Sequence, residues 1–212
     1  MRGLIVTVVA LGAVLAVSRA LDAQRPSAEI APLDASKPIT FNIERGTDGS
    51  RSVESDRDLA LWALSAWGRA SGGRLQFAPG AASDAALDIH WVPAAAGEYG
   101  EMRRTIVNGR PVANVYIRPD IDALGPDIAA VARADALMRD TIVYLTCVHE
   151  IGHALGLSHT SNFADIMYFF GYGGDIPEFF GRYRRQLRTR ADIQRVNGVS
   201  DNDIARLRAI YK

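Results

Sequence analysis

The chain has a single cysteine, Cys147, among its 212 residues. No disulfide can close within it, so the fold stands without covalent staples. Net charge is missing too, since 24 Lys and Arg face 24 Asp and Glu. No global field therefore draws the protein to nucleic acid or to an anionic surface, and no nucleic-acid partner is expected. A bilayer-spanning run is also lacking. The uninterrupted apolar and small-residue stretch from Leu4 to Val17 falls short of the roughly 20 residues a crossing helix needs. Histidine is scarce, at four. What remains, 48% hydrophobic and 23% charged, is ordinary globular composition, and the length suits one well-buried domain.

The short apolar run has another reading. Arg2 precedes it and Ser18-Arg19-Ala20 follows it, which is the pattern of an export signal (residues 1–20) cut after Ala20, with Ala23 as the other option. The expected destination is then periplasmic or extracellular, with membrane attachment only if the segment stays uncleaved. Cleavage removes Arg2 and Arg19 and no acid, leaving an excess of two negative charges. Residues 21–37 hold Pro26 and Pro32 without periodicity and read as a flexible lead or short pro-segment. One domain is expected over residues 38–212.

Within that domain, Ile39, Phe41 and Ile43 alternate with polar residues as a half-buried strand does. Ser55, with Asp58 three positions on, looks like a helix cap. Leu59, Trp62, Ala63, Ala66 and Trp67 then recur at helical spacing until Ser71-Gly72-Gly73. Leu75–Phe77 and Ala86–Val92 read as short strands. Met102–Val107 and Val112–Arg118 flank Asn108-Gly109, a pair that tolerates the positive φ angles of a tight hairpin turn. A polar loop is expected from Pro119 to Asp127, and a long helix from about Arg139 to Leu155, ended by Gly156. An extra helix is read over Pro177–Arg195, with its aromatics on the core and its arginines in water. A last helix, Asp201–Tyr211, is capped at Ser200. Strands early and helices late suggest an α+β domain with helices on one face of a twisted sheet.

The decisive stretch runs from His149 through Glu150, His153 and Gly156 to His159. His149 and His153 are four apart, so on a helix they share a face and can turn to one metal. Six further helical residues would carry His159 about 9 Å along the axis, too far for bonds of about 2.1 Å. The chain must bend back, and Gly156 permits it by accepting the left-handed conformation that ends helices. Three neutral imidazoles leave a tetrahedral zinc one open position, the mark of a catalytic site. Zinc there lowers the pKa of water toward 7, and Glu150, placed beside that position, is suited to general base work. Chance occurrence of five fixed residues at these spacings is on the order of 10⁻⁵. Cys147 lies about 200° round the axis from His149, so it is read as a buried small residue.

This stretch resembles the extended HExxHxxGxxH pattern of the metzincins, and Asp165-Ile166-Met167-Tyr168 is similar to their methionine turn. The short gap from His159 to Met167 and the tyrosine directly after it look most like the matrixins. The resemblance implies a zinc endopeptidase with a five-stranded, mostly parallel twisted sheet and an antiparallel edge strand. It also implies an active-site helix carrying His149, Glu150 and His153, and a C-terminal helix. Met167 would be the apolar base under the imidazoles, not a ligand. In astacins and serralysins the zinc-reaching tyrosine stands two positions after the methionine; here that position is Phe169, and Tyr168 is not counted as a ligand.

The chain departs from matrixins in several places. Thr160 stands where serine is usual, no proline follows Tyr168, and no cysteine precedes the domain to silence the metal. The family's structural zinc needs more histidines than His90, which is read as an ordinary strand residue. Asp120, Asp122 and Asp127 gather hard oxygens in one loop, a candidate Ca2+ site beside the simpler reading of a solvated acidic loop.

By the same resemblance an extended polypeptide would add to the outer hairpin arm, with Gly100, Met102 and Arg104 as backbone contacts and Tyr168 walling a specificity pocket. Residues 168–176 are expected at that pocket, and a monomer is expected. Two competing functions remain at this stage: a zinc amidase acting on a non-protein substrate such as a cell-wall crosslink, and a zinc-stabilised binding module without catalysis.

Overall fold

A computed structural model describes residues 31–93, 95 and 99–212. The expected export signal, and the lead up to residue 30, lie outside the described residues. Five strands form one sheet: β1 (Ile39–Ile43), β2 (Phe77–Pro79), β3 (Leu87–Trp91), β4 (Gly100–Val107) and β5 (Arg110–Ile117). Their order is β2-β1-β3-β5-β4, parallel throughout except for β4, which runs antiparallel to β5 at the edge. This is the mixed α+β arrangement that the sequence led us to expect. The β4–β5 hairpin turns at Asn108 and Gly109, whose φ angles of 51° and 75° are those the dipeptide tolerates best.

One face of the sheet carries Phe41, Ile43, Leu87, Ile89, Val115 and Ile117, all buried. Helices α1 (Asp56–Ala70) and α3 (Ala136–Ala154) pack together in the layer built on it. They are joined in two ways. The fully buried Trp67 of α1 donates its indole N–H to the Val148 carbonyl of α3 at 2.9 Å. The equally buried Asp56 receives the Arg139 guanidinium through both carboxylate oxygens. Such a pair fixes register more than it adds stability, because each ion was desolvated to make it.

Several boundaries differ from expectation, each for a local reason. The lead was expected to be flexible up to residue 37, yet Leu33 is buried in the core and its carbonyl accepts the Tyr211 hydroxyl at 3.2 Å. Packing thus begins before residue 38. Ser55 has helical φ and ψ and does not cap α1; Asp56 takes the Val53 N–H instead, at 2.9 Å. The first of the two short strands lies at 77–79, after the expected Leu75–Phe77. The loop expected to run to Asp127 gives way to helix α2 (Pro126–Ala134). Proline at the first helical position presets φ where no N–H is needed, and so starts the helix here. The single helix expected over 177–195 is two pieces, α4 (Ile176–Arg184) and a 3-10 turn at Arg190–Gln194. Between them Asp192 accepts the N–H groups of Arg188 and Thr189 at 2.9 and 2.8 Å, a cap that starts a new element and stops the old one. Its aromatics do pack inward, since Phe179, Phe180 and Tyr183 are all buried. The last helix, α5 (Asp201–Ile210), begins at Ser200, whose hydroxyl accepts the Asp203 N–H.

Candidate metal centre and cleft

Helix α3 ends in a left-handed residue. Gly156 has φ 94°, its N–H bonds to the His153 carbonyl, and the next N–H, of Leu157, reaches back to Gly152. This double closure is the Schellman motif that glycine favours. The chain therefore folds back on the helix, and His159 arrives beside His149 and His153.

Nε2 of His159 lies 3.3 Å from Nε2 of His149 and 3.1 Å from Nε2 of His153. The outward nitrogens are committed elsewhere. His149 Nδ1 lies 2.7 Å from the Ile166 carbonyl and His153 Nδ1 lies 2.8 Å from the Leu157 carbonyl. A carbonyl only accepts, so both Nδ1 atoms carry the proton and both Nε2 lone pairs face inward. Donors bonded to a tetrahedral zinc at about 2.0–2.1 Å stand about 3.3 Å apart, so spacing and donor chemistry both fit that ion. Burial pushes all three imidazoles below their ordinary pKa, to about 3 for His149 and about 4 for His153, and so keeps them neutral. The second contribution is mutual repulsion of the rings for His149 and His153.

The support behind these ligands includes a residue the sequence marked only as part of a cap. Asp203 of α5, fully buried, accepts the N–H of Ile166 at 2.8 Å and of Met167 at 3.4 Å. Ile166 in turn holds His149. Met167 is itself fully buried against α3: a Cβ placed on Gly152 would stand 2.5 Å from its sulfur. Cys147 is fully buried as well, with a thiol that burial pushes up in pKa, and it is not among the converging donors.

Glu150 lies between the two helix histidines in sequence and is buried to 6% exposure. Burial, helped by the charge of Glu101, pushes its carboxyl up to about 8. Among the described residues no basic side chain pairs with it. It can sit where it does because Gly100 has no side chain: a Cβ there would stand 2.6 Å from Glu150 Cγ and 2.7 Å from Thr146 Cγ2. A cavity of about 540 Å³ opens in front of Glu150 and His149. Its walls are Leu145, Phe170, Phe179 and Phe180, and the buried Tyr168, which donates its hydroxyl to the Gly173 carbonyl at 3.0 Å.

The other sequence candidates fall outside this cavity. The Arg104 side chain does not face the cleft; it donates to the Ala154 carbonyl at the end of α3 and to that of Ala31, at 2.6 and 2.8 Å. Met102 packs half-buried against the core. What both residues can offer a substrate is backbone. Arg118 N–H bonds to the Tyr99 carbonyl, while Ala113 N–H and the Ile117 carbonyl bond toward β3. Antiparallel pairing alternates, so the backbone groups of Gly100, Met102 and Arg104 point out along the free edge of β4. Asp122 is paired with Arg51 and Arg133, Asp120 with Arg51, and Asp127 opens α2; these three do not converge as a donor set. Glu44, Asp88 and His90 do come together. The two carboxylates approach opposite nitrogens of the ring, Glu44 at 2.9 Å from Nδ1 and Asp88 at 3.7 Å from Nε2.

Compared with known families, residues 34–175 match the matrixin family model, a span that takes in the whole sheet, α3, the three histidines and Met167. A search of curated proteins gave no match to the chain.

The convergence depends on Gly156, so its backbone can be tested directly. Gly156→Ala is expected to lower unfolding stability by about 1–2 kcal/mol, the cost of a left-handed alanine, and the melting temperature by about 5 °C. Gly156→Asn, better tolerated there, should lose less. Thermal melts in which both variants match the wild type would contradict the assigned turn.

Proposed function

The chain belongs to the matrixin family of zinc metallopeptidases, and from that premise we propose that it is an exported endopeptidase whose general base is Glu150 and whose metal ligands are His149, His153 and His159. The observation that carries the proposal is the convergence of three inward Nε2 atoms beside a buried carboxylate at the mouth of an aromatic cavity. Zinc, when bound, supplies a Lewis acid that polarises the scissile carbonyl and makes water a nucleophile near neutral pH. Glu150 takes the proton from the attacking water as the new C–O bond forms, and delivers it to the amine as the C–N bond breaks.

The substrate is an extended polypeptide laid antiparallel on β4, paired with the outward backbone groups of Gly100, Met102 and Arg104. Main-chain pairing reads no side chains, so selectivity falls to the cavity. Its walls of Leu145, Tyr168, Phe170, Phe179 and Phe180 suit a large apolar or aromatic residue immediately after the scissile bond. Gly100, where the strand touches Glu150, sets the reacting bond against the base. Export rests on the sequence of residues 1–20, and we propose that the domain acts as a monomer.

A library of unstructured peptides incubated with the zinc-loaded protein should be cut before large apolar residues, and a chelator should abolish cleavage. Glu150→Gln should lose roughly 10²–10⁴-fold in kcat with zinc content unchanged. No peptide cleavage, with hydrolysis of a cell-wall digest by the same preparation, would overturn the substrate class.

Displacing the base without removing it gives a finer check. Gly100→Ala should retain zinc but lose about 100-fold in kcat, the usual effect of misplacing a reacting group by about 1 Å. Adding Thr146→Ser, which removes one of the three atoms that such a Cβ would crowd, should recover part of that loss. Gly100→Ala with wild-type kinetics would mean the close approach has no catalytic consequence.

A further inference from the structure

The three histidines are not oriented alike. His149 and His153 are each held by a carbonyl at Nδ1. Among the described residues His159 has no such partner; instead its ring lies flat against that of Phe169, with centroids 4.7 Å apart and planes inclined by 27°.

From this contrast we infer that Phe169 is the positioning residue for His159, its ring face holding the third imidazole in place where a hydrogen bond holds the other two. The inference rests on the reading of the three histidines as a zinc site. Two features show that the stack is built into the chain. The segments that carry the two rings are tied side by side next to His159: Thr160 N–H bonds to the Met167 carbonyl at 2.8 Å and Phe169 N–H to the Thr160 carbonyl at 3.1 Å. The ring is also confined by its own segment. A Cβ on Gly171 would stand 2.1 Å from Phe169 Cε1, so glycine leaves the space the ring needs, and Tyr172 meets the ring edge-on at 5.5 Å.

The chemistry favours this arrangement when metal is bound. Offset stacking is an attractive geometry for two aromatic rings. An imidazole that donates to a dication becomes electron-poor, and the negative face of a benzene ring attracts it more strongly. Phe169 follows the tyrosine of the methionine turn, at the position that proline usually takes in matrixins. The stack thus accounts for a residue that the cavity walls leave at the rim, 43% exposed.

The test measures zinc affinity by competition with a chromogenic chelator, on the full chain and on Phe169→Leu and Phe169→Tyr. Leucine keeps apolar bulk and removes the ring face; tyrosine keeps the face. Phe169→Leu should bind zinc about tenfold more weakly, as loss of an orienting partner does, and its cobalt-substituted form should show a shifted visible spectrum. Phe169→Tyr should match the wild type in both, and the metal-free forms should melt together, because the ring is at the rim. Zinc held equally tightly by Phe169→Leu overturns the inference, as does equal weakening in both variants. Peptide cleavage is not read, so a wild-type protein that binds zinc and cuts nothing contradicts the proposed function alone.

Discussion

Three imidazole nitrogens meet across 3.1 and 3.3 Å, a spacing that suits donors gathered round one zinc ion. Everything distinctive about the molecule serves that crowding. Helix α3 supplies two of the nitrogens by its period, Gly156 returns the third, and carbonyls of Ile166 and Leu157 fix which nitrogen of each helix histidine faces in. Because metal affinity and folding draw on the same free energy, the protein can hold three donors together ahead of the metal only if the surrounding fold is rigid without it.

That rigidity is distributed over elements far apart in sequence. Trp67 and Asp56 lock α1 to α3, and Asp203 of α5 clamps the turn whose carbonyl orients His149. The C-terminal helix therefore acts on the centre through two hydrogen bonds in series. Arg104 performs a similar service from the edge strand, since its guanidinium covers the last carbonyl of α3 beside the reversal. In the proposed function Glu150 and the cavity in front of it meet the substrate, through backbone at the free edge of β4 and through aromatic walls.

Much of this could be read from residue order because the signals were local. A four-residue histidine spacing, a glycine where a helix must end, Asn108-Gly109 between alternating runs and Ser200 before Asp203 each act within a turn or two of chain. What escaped the reading depends on distant partners or on competing local chemistry. Nothing near Leu33 says that Tyr211 will cover it, nothing near Asp56 announces Arg139, and Arg104 resembles a surface arginine until α3 is folded beside it. The break between α4 and the turn at Arg190 was hidden for the opposite reason, since Thr189 and Asp192 were available as a cap but a run of aromatics and arginines looked continuous. Phe169 reads in the sequence as part of the pocket segment and as a position without the zinc-reaching tyrosine; its contact with the His159 ring is visible only in the fold.

The central claim concerns coordination, and X-ray absorption at the zinc edge of the metal-loaded protein measures it most directly. The account predicts one zinc per chain with three imidazole nitrogens at about 2.0–2.1 Å, one further light scatterer and no sulfur. Fewer imidazoles, a sulfur from Cys147 or Met167, or no tightly held metal would contradict it.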